Sequence, residues 1–139
     1  MRKLPAACLL ASLTACAGPL PQPDPGQAWI DLRGEPGTTF MADRLDGGRT
    51  ADGRYYQVTP GRHELDMRYQ FEVSSGGGLN SDAGPFQLTC HVRIRYDGFA
   101  AGERYRIDAR PIVMRPQVLM YDARRQVVAR GETLGCGPI

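Results

Sequence analysis

The chain is predicted to fold as an all-β protein, a small antiparallel β-sandwich of about eight strands, on three observations. Two long segments, His63 to Val73 and Phe86 to Tyr96, alternate apolar and polar residues with a period of two, which puts the apolar side chains on one face of an extended strand. No stretch from Trp29 onward repeats its apolar residues at the 3.6-residue period of an amphipathic helix. Clusters of Gly, Pro, Asn and Asp punctuate the chain at short intervals, as turns between strands do. Half-buried strands of this kind hide their apolar faces by packing one sheet against another.

The elements before the domain come first. Arg2 and Lys3 form a short positive region, and Leu4 to Ala15 form an apolar run of 12 residues. A bilayer-spanning helix takes ~20 residues, so residues 1 to 15 read as a signal peptide that is removed on export. Leu13-Thr14-Ala15-Cys16 resembles the lipobox of bacterial lipoproteins, whose cysteine becomes the acylated, palmitate-bearing first residue of the mature chain. The resemblance implies lipidation of Cys16 and attachment to a membrane through that anchor; the alternative is an ordinary signal with a coincidental cysteine. Ala17 stands where inner-membrane lipoproteins of that family carry Asp, which implies the outer membrane, facing the periplasm. Residues 16 to 27 hold four prolines and two glycines, cannot form a helix or a central strand, and read as an extended tether to a domain over residues 28 to 139.

Within the domain, Trp29 to Leu32, Thr39 to Leu45 and Tyr55 to Val58 are short strands separated by Asp46-Gly47-Gly48 and Ala51-Asp52-Gly53. After Pro60-Gly61 the longest strand places His63, Leu65, Met67, Tyr69, Phe71 and Val73 on its apolar side. Residues 74 to 85 are too polar and glycine-rich to pack and are expected to form a mobile loop, either filler or a functional loop. Phe86, Leu88, Cys90, Val92, Ile94 and Tyr96 point inward from the next strand, and Tyr105, Ile107 and Ala109 from Arg104 to Arg110. Gln117 to Asp122 and Gln126 to Arg130 complete the set, leaving Gly131 to Ile139 as a tail.

Thr59-Pro60-Gly61-Arg62-His63-Glu64-Leu65 resembles the PEGA-type β-domains of bacterial surface proteins, where a Pro-Gly turn launches a strand through a histidine. Asp46-Gly47 and Ala101-Gly102-Glu103-Arg104-Tyr105 are similar to turns in small proteobacterial envelope lipoproteins. The resemblance implies a β-sandwich used for attachment or binding in the envelope and no active site.

Removal of residues 1 to 15 leaves 124 residues, enough for one core, with 15 basic and 15 acidic side chains. A neutral body argues against nucleic acid, whose binding rests on clustered charge. Lys3 is the only lysine, so every mature basic residue is arginine, by compositional bias or by selection for planar carboxylate- and phosphate-binding forks. Cys8 leaves with the signal and Cys16 carries lipid, so Cys90 and Cys136 remain and are expected to form a disulfide that draws the tail across the core; two free buried cysteines are the alternative. His63 and His91 show no zinc spacing, and no metal or cofactor is expected. His63 reads as a structural histidine, and no nucleophile or phosphate-binding motif points to an enzyme.

The sharper candidate is a set of arginines. If the strands ending at Tyr96 and beginning at Arg104 form a hairpin, registers summing to 199 or 201 keep the apolar faces together. The first opposes Arg95 to Arg104 and Arg93 to Arg106; the second pairs Arg93 with Asp108, leaves only Arg95 against Arg106, and is preferred. Either way Arg93, Arg95, Arg104, Arg106 and Arg110 would share one outward face, suited to an anionic envelope glycan or lipid, or else a solvated face with local ion pairs. The sequence therefore predicts a membrane-anchored, non-catalytic structural or interaction module with an envelope protein as partner, or alternatively a binder of anionic glycan or lipid.

Overall fold

A computed structural model describes residues 18–74 and 84–138. Among the described residues there are ten strands: β1 (Ala28–Gly34), β2 (Thr39–Leu45), β3 (Gly48–Arg49), β4 (Tyr55–Val58), β5 (Gly61–Val73), β6 (Phe86–Phe99), β7 (Arg104–Ile112), β8 (Arg115–Tyr121), β9 (Val127–Arg130) and β10 (Glu132–Pro138). They form two five-stranded sheets, one in the order β4-β1-β7-β8-β9 and the other β10-β6-β5-β2-β3. All pairings are antiparallel except β1 with β7. The β-sandwich expected from the alternation is the fold. Two strands exceed the eight expected, the two-residue β3 and the tail strand β10.

The long alternating segments pair with each other. β5 and β6 align so that partner numbers sum to 159, opposing Leu65 to Ile94, Met67 to Val92, Tyr69 to Cys90 and Phe71 to Leu88. These eight residues are buried and meet Ile30, Tyr56, Val58, Tyr105, Ile107, Ala109, Val118 and Met120 of the other sheet in a single core. The odd sum is what two strands need to present their apolar faces to the same side.

The hairpin expected between β6 and β7 does not form, and both registers considered for it are wrong. β6 runs on through Asp97 and Gly98 to Phe99, whose ring is buried in the core. Its two edges are taken by β5 and β10, so β7 has no place beside it and lies in the other sheet between β1 and β8. The tail is a second correction. Cys90 and Cys136 are joined by a disulfide, but they are directly opposed partners in β6 and β10. The tail therefore runs along the edge of the sheet and does not cross the core.

Two residues tie the sheets together. Tyr56 reaches from β4 to the other sheet, where its hydroxyl donates to Asp66 O and accepts a hydrogen bond from Asp43 N at 3.3 Å. Asp43 sits at the register shift of β2, so this phenol satisfies an amide that the bulge takes out of the ladder. Burial pushes the Tyr56 hydroxyl pKa well up, which keeps the phenol neutral. Gly131 carries the chain from β9 to β10, donating its N–H to Val118 O at 2.8 Å. A Cβ there would lie 2.6 Å from Val92 Cγ1 and 2.7 Å from Val118 Cβ, so only glycine passes between the sheets without displacing them.

The described part of the expected tether, residues 18–27, has no helix or strand, as its prolines require, but it is tied to the domain. Asp24 N donates to Gln57 Oε1 at 3.0 Å, Arg54 Nη1 to Gly18 O at 2.9 Å and Gly102 N to Gln27 O at 2.9 Å. Because β1 and β7 run parallel, Gly34 and Ile112 lie at the same end of the sandwich, together with the start of β2, the end of β5 and the start of β6. The turn at Asp46-Gly47, the Thr59–Gly61 corner and the loop after Phe99 collect at the opposite end.

Candidate functional site

Alternation sends every arginine of the expected face outward, but from two different sheets. Arg93 and Arg95 project from β6 on the outside of one sheet; Arg104, Arg106 and Arg110 project from β7 on the outside of the other. The core separates the two groups. There is no five-arginine face.

On the sheet containing β6, each arginine meets carboxylates from the neighbouring strands. Arg93 grips Asp66 with both prongs of its fork, Nε to Oδ1 at 2.6 Å and Nη2 to Oδ2 at 2.9 Å, and approaches Glu64 at 3.2 Å. Arg95 donates to Glu64 Oε2 at 2.9 Å and lies 3.5 Å from Glu132. The hydrogen bonds to Asp66 hold the Arg93 proton more tightly than usual. Register explains the pairing, since β5 opposes Glu64 to Arg95 and Asp66 to Arg93. Sequence reasoning missed these partners, although the signal was available in the acidic start of β5 set against the basic end of β6.

On the other sheet, Trp29 is 3% exposed although it faces away from the core. Tyr55 stacks on its indole with ring centroids 4.3 Å apart, and the Arg104 guanidinium lies 6.0 Å from the ring. The indole N–H donates to Asp31 Oδ1 at 2.8 Å, and Arg104 donates to both oxygens of Asp31 at 2.7 and 3.1 Å. Burial works against ionisation of Asp31, but the bonds from Arg104 and Trp29, with the charges of Arg104 and Arg33, outweigh it and hold its pKa below the ordinary carboxylate value. Arg106 donates to Asp108 at 2.7 Å and stands 5.1 Å over the Tyr121 ring. Arg110 differs, because its partner is the neutral Gln117 Oε1 at 2.8 Å. Beside it opens a groove of about 460 Å³, lined by Arg33, Glu35, Asp108, Arg110, Gln117 and Tyr121 among others.

The histidines lie apart from these faces or within the paired one. His63 Nδ1 donates to Asp46 Oδ2 at 2.6 Å, and Nε2 lies 2.8 Å from Thr59 O and 3.1 Å from Thr59 Oγ1. Asp46 Oδ1 also accepts from Glu64 N at 2.8 Å; that bond, ahead of the one from His63, holds its carboxyl below the ordinary value. His63 thus staples the Asp46-Gly47 turn to the Thr59–Gly61 corner, and both ring nitrogens are engaged. His91 is outward and opposite Arg68. Among the described residues, no group of three or more His, Cys, Asp or Glu could hold a metal ion. Cys16 and the signal peptide lie outside the described residues, as do residues 75–83 of the expected loop, whose flanks Ser74, Gly84 and Pro85 carry no strand. Comparisons with protein-family models, curated proteins and solved structures gave no match to this chain.

Proposed function

We propose that this chain is a lipid-anchored bacterial envelope protein, a non-catalytic structural or interaction module held at the outer membrane on the periplasmic side. The observation that carries the reading is the lipobox-like Leu13-Thr14-Ala15-Cys16, set directly before a proline-rich segment that leads into a disulfide-closed β-sandwich. A disulfide suits an exported protein, because thiols stay reduced in the cytosol. One acyl chain binds a bilayer only marginally, whereas a multiply acylated cysteine anchors firmly. The test is mass spectrometry of the mature N-terminus together with fractionation of Cys16→Ser. Acyl mass on Cys16, and release of the variant from membranes, are expected; an unmodified Cys16 or cleavage elsewhere overturns the anchor.

The alternative, an anionic-glycan or lipid binder using five arginines, is narrowed by the ion pairs. A ligand phosphate or carboxylate at Arg93, Arg95, Arg104 or Arg106 competes with a carboxylate that already neutralises the guanidinium. Arg110, bonded to a neutral amide, does not carry that cost. The anionic-ligand reading is therefore kept for the end of the sheet where Arg110 stands.

A further inference from the structure

The β7–β8 hairpin projects beyond its neighbours. β1 stops pairing with β7 at Ala109, and β9 reaches no further along β8 than Leu119. The rungs Arg110:Gln117, Pro111:Pro116 and Ile112:Arg115, with the two-residue turn Val113-Met114, therefore have no strand paired on either side, and only the first of them borders the groove shared with Gly34, Glu35 and Pro36. Prolines on both strands of this stem remove donors that would otherwise recruit another strand. The tip is apolar and open to solvent, with Ile112 47% exposed, Val113 87% and Met114 50%.

The turn chemistry is unusual. Val113 has φ of 57°, a left-handed conformation that a β-branched side chain resists, at the turn position that glycine normally fills. The same chain builds its other two-residue hairpin turn from Asp46-Gly47, with φ of 50° and 83°, the residues such turns favour. At the tip, apolar contact surface stands in place of the favoured turn residues. Arg110 and Arg115 flank it, and no carboxylate pairs with either among the described residues.

We propose that this tip contacts membrane: Ile112, Val113 and Met114 enter the boundary between headgroups and acyl chains, and Arg110 and Arg115 bind the phosphates of an anionic phospholipid surface. A convex tip of flexible and branched apolar side chains, flanked by two guanidinium groups whose charge no carboxylate of the described residues neutralises, matches a fluid, negatively charged surface. The course of the chain agrees. From Asp24, held at Gln57 opposite Trp29, the segment runs back to Gly18, held by Arg54 just beyond Tyr55, and so heads toward the end of the sheet that carries the tip. The location of the contact rests on the anchoring proposed above; the tip's own affinity for lipid does not require acylation.

The experiment uses the full chain carrying Val113→Trp, reconstituted with or added to vesicles of phosphatidylethanolamine and phosphatidylglycerol with brominated acyl chains. The single native tryptophan, Trp29, is buried and supplies a constant background. Blue-shifted emission and quenching by the brominated lipid are expected. Ala101→Trp, at the opposite end, should stay unquenched. Adding Arg110→Gln and Arg115→Gln, or replacing phosphatidylglycerol with phosphatidylcholine, should diminish the quenching. Flotation and the mass of Cys16 are read on the same samples. A chain that floats through acylated Cys16 while Val113→Trp remains unquenched overturns the tip contact and leaves the anchor standing. Quenching without acylation does the reverse. A tip that stays unquenched by lipid but is buried by an added envelope protein also overturns the proposal, in favour of a protein pocket.

Discussion

At the scale of single residues, the two sheets are joined by groups with no tolerance for change. The Tyr56 hydroxyl serves both Asp66 O and Asp43 N, so Tyr56→Phe leaves a part-buried acceptor and the bulge amide without their partner. We expect a loss of about 1 to 3 kcal/mol, read as a lower urea midpoint with an unchanged slope, because the surface exposed on unfolding is the same. Gly131→Ala should cost a similar ~1 to 3 kcal/mol by overpacking, since its Cβ would meet Val92 and Val118, both buried. A midpoint equal to that of the native chain would contradict either account. Neither role was legible in the sequence. Tyr56 reads there only as part of the short strand Tyr55 to Val58, and Gly131 as the start of a tail, because a bulge and a crossing between sheets leave no periodic trace.

At the scale of strands, what was legible is the face each residue takes. Leu65, Met67, Tyr69 and Phe71, then Leu88, Cys90, Val92 and Ile94, and Tyr105, Ile107 and Ala109 are inward as their alternation requires. The choice of neighbour was not legible, because parity is satisfied equally by strands of the same sheet and of the facing one. Like charges were the available warning. Both registers for a β6–β7 hairpin opposed arginines, whereas β5 against β6 opposes Glu64 and Asp66 to Arg95 and Arg93. β10 escaped notice because a Gly-rich edge strand is held by its backbone and a disulfide, with no alternating pattern to read. Across β1 and β7, Asp31 and Arg104 make the matching link in the other sheet, and they imply a pH dependence. Asp31 has a lowered pKa when folded, so its contribution is complete above the unfolded value near 3.8 and is lost as the pH falls through the folded value. Asp46, also lowered, acts in the same window. Stability should fall below about pH 4, and Asp31→Asn should flatten that part of the curve of melting temperature against pH. An unchanged acid limb in the variant would refute the assignment.

At the scale of the whole molecule, the two ends of the sandwich differ in chemistry. One carries the His63 staple and the polar turns, and the other the apolar, arginine-flanked tip. The disulfide binds the C-terminal strand into this arrangement. Cys90 is buried in the middle of β6, while Cys136 is exposed on β10, the outermost strand of its sheet. The cysteines are 46 residues apart, a span that contains β7, β8 and β9 of the opposite sheet. The bond thus closes a loop passing through both layers. In the chain-entropy treatment such a closure stabilises by ~4 kcal/mol, a large part of the roughly 5 to 15 kcal/mol available to a domain. Reduction should lower the melting temperature. Because β10 has a partner on one side only, it should also loosen first, with amide exchange rising over residues 132–138 while the β5–β6 ladder stays protected. Alkylation of the unfolded, unreduced chain should label neither Cys90 nor Cys136. Labelling of both would remove the bridge, and uniform exchange across the sheet after reduction would show that β10 is held by its ladder alone.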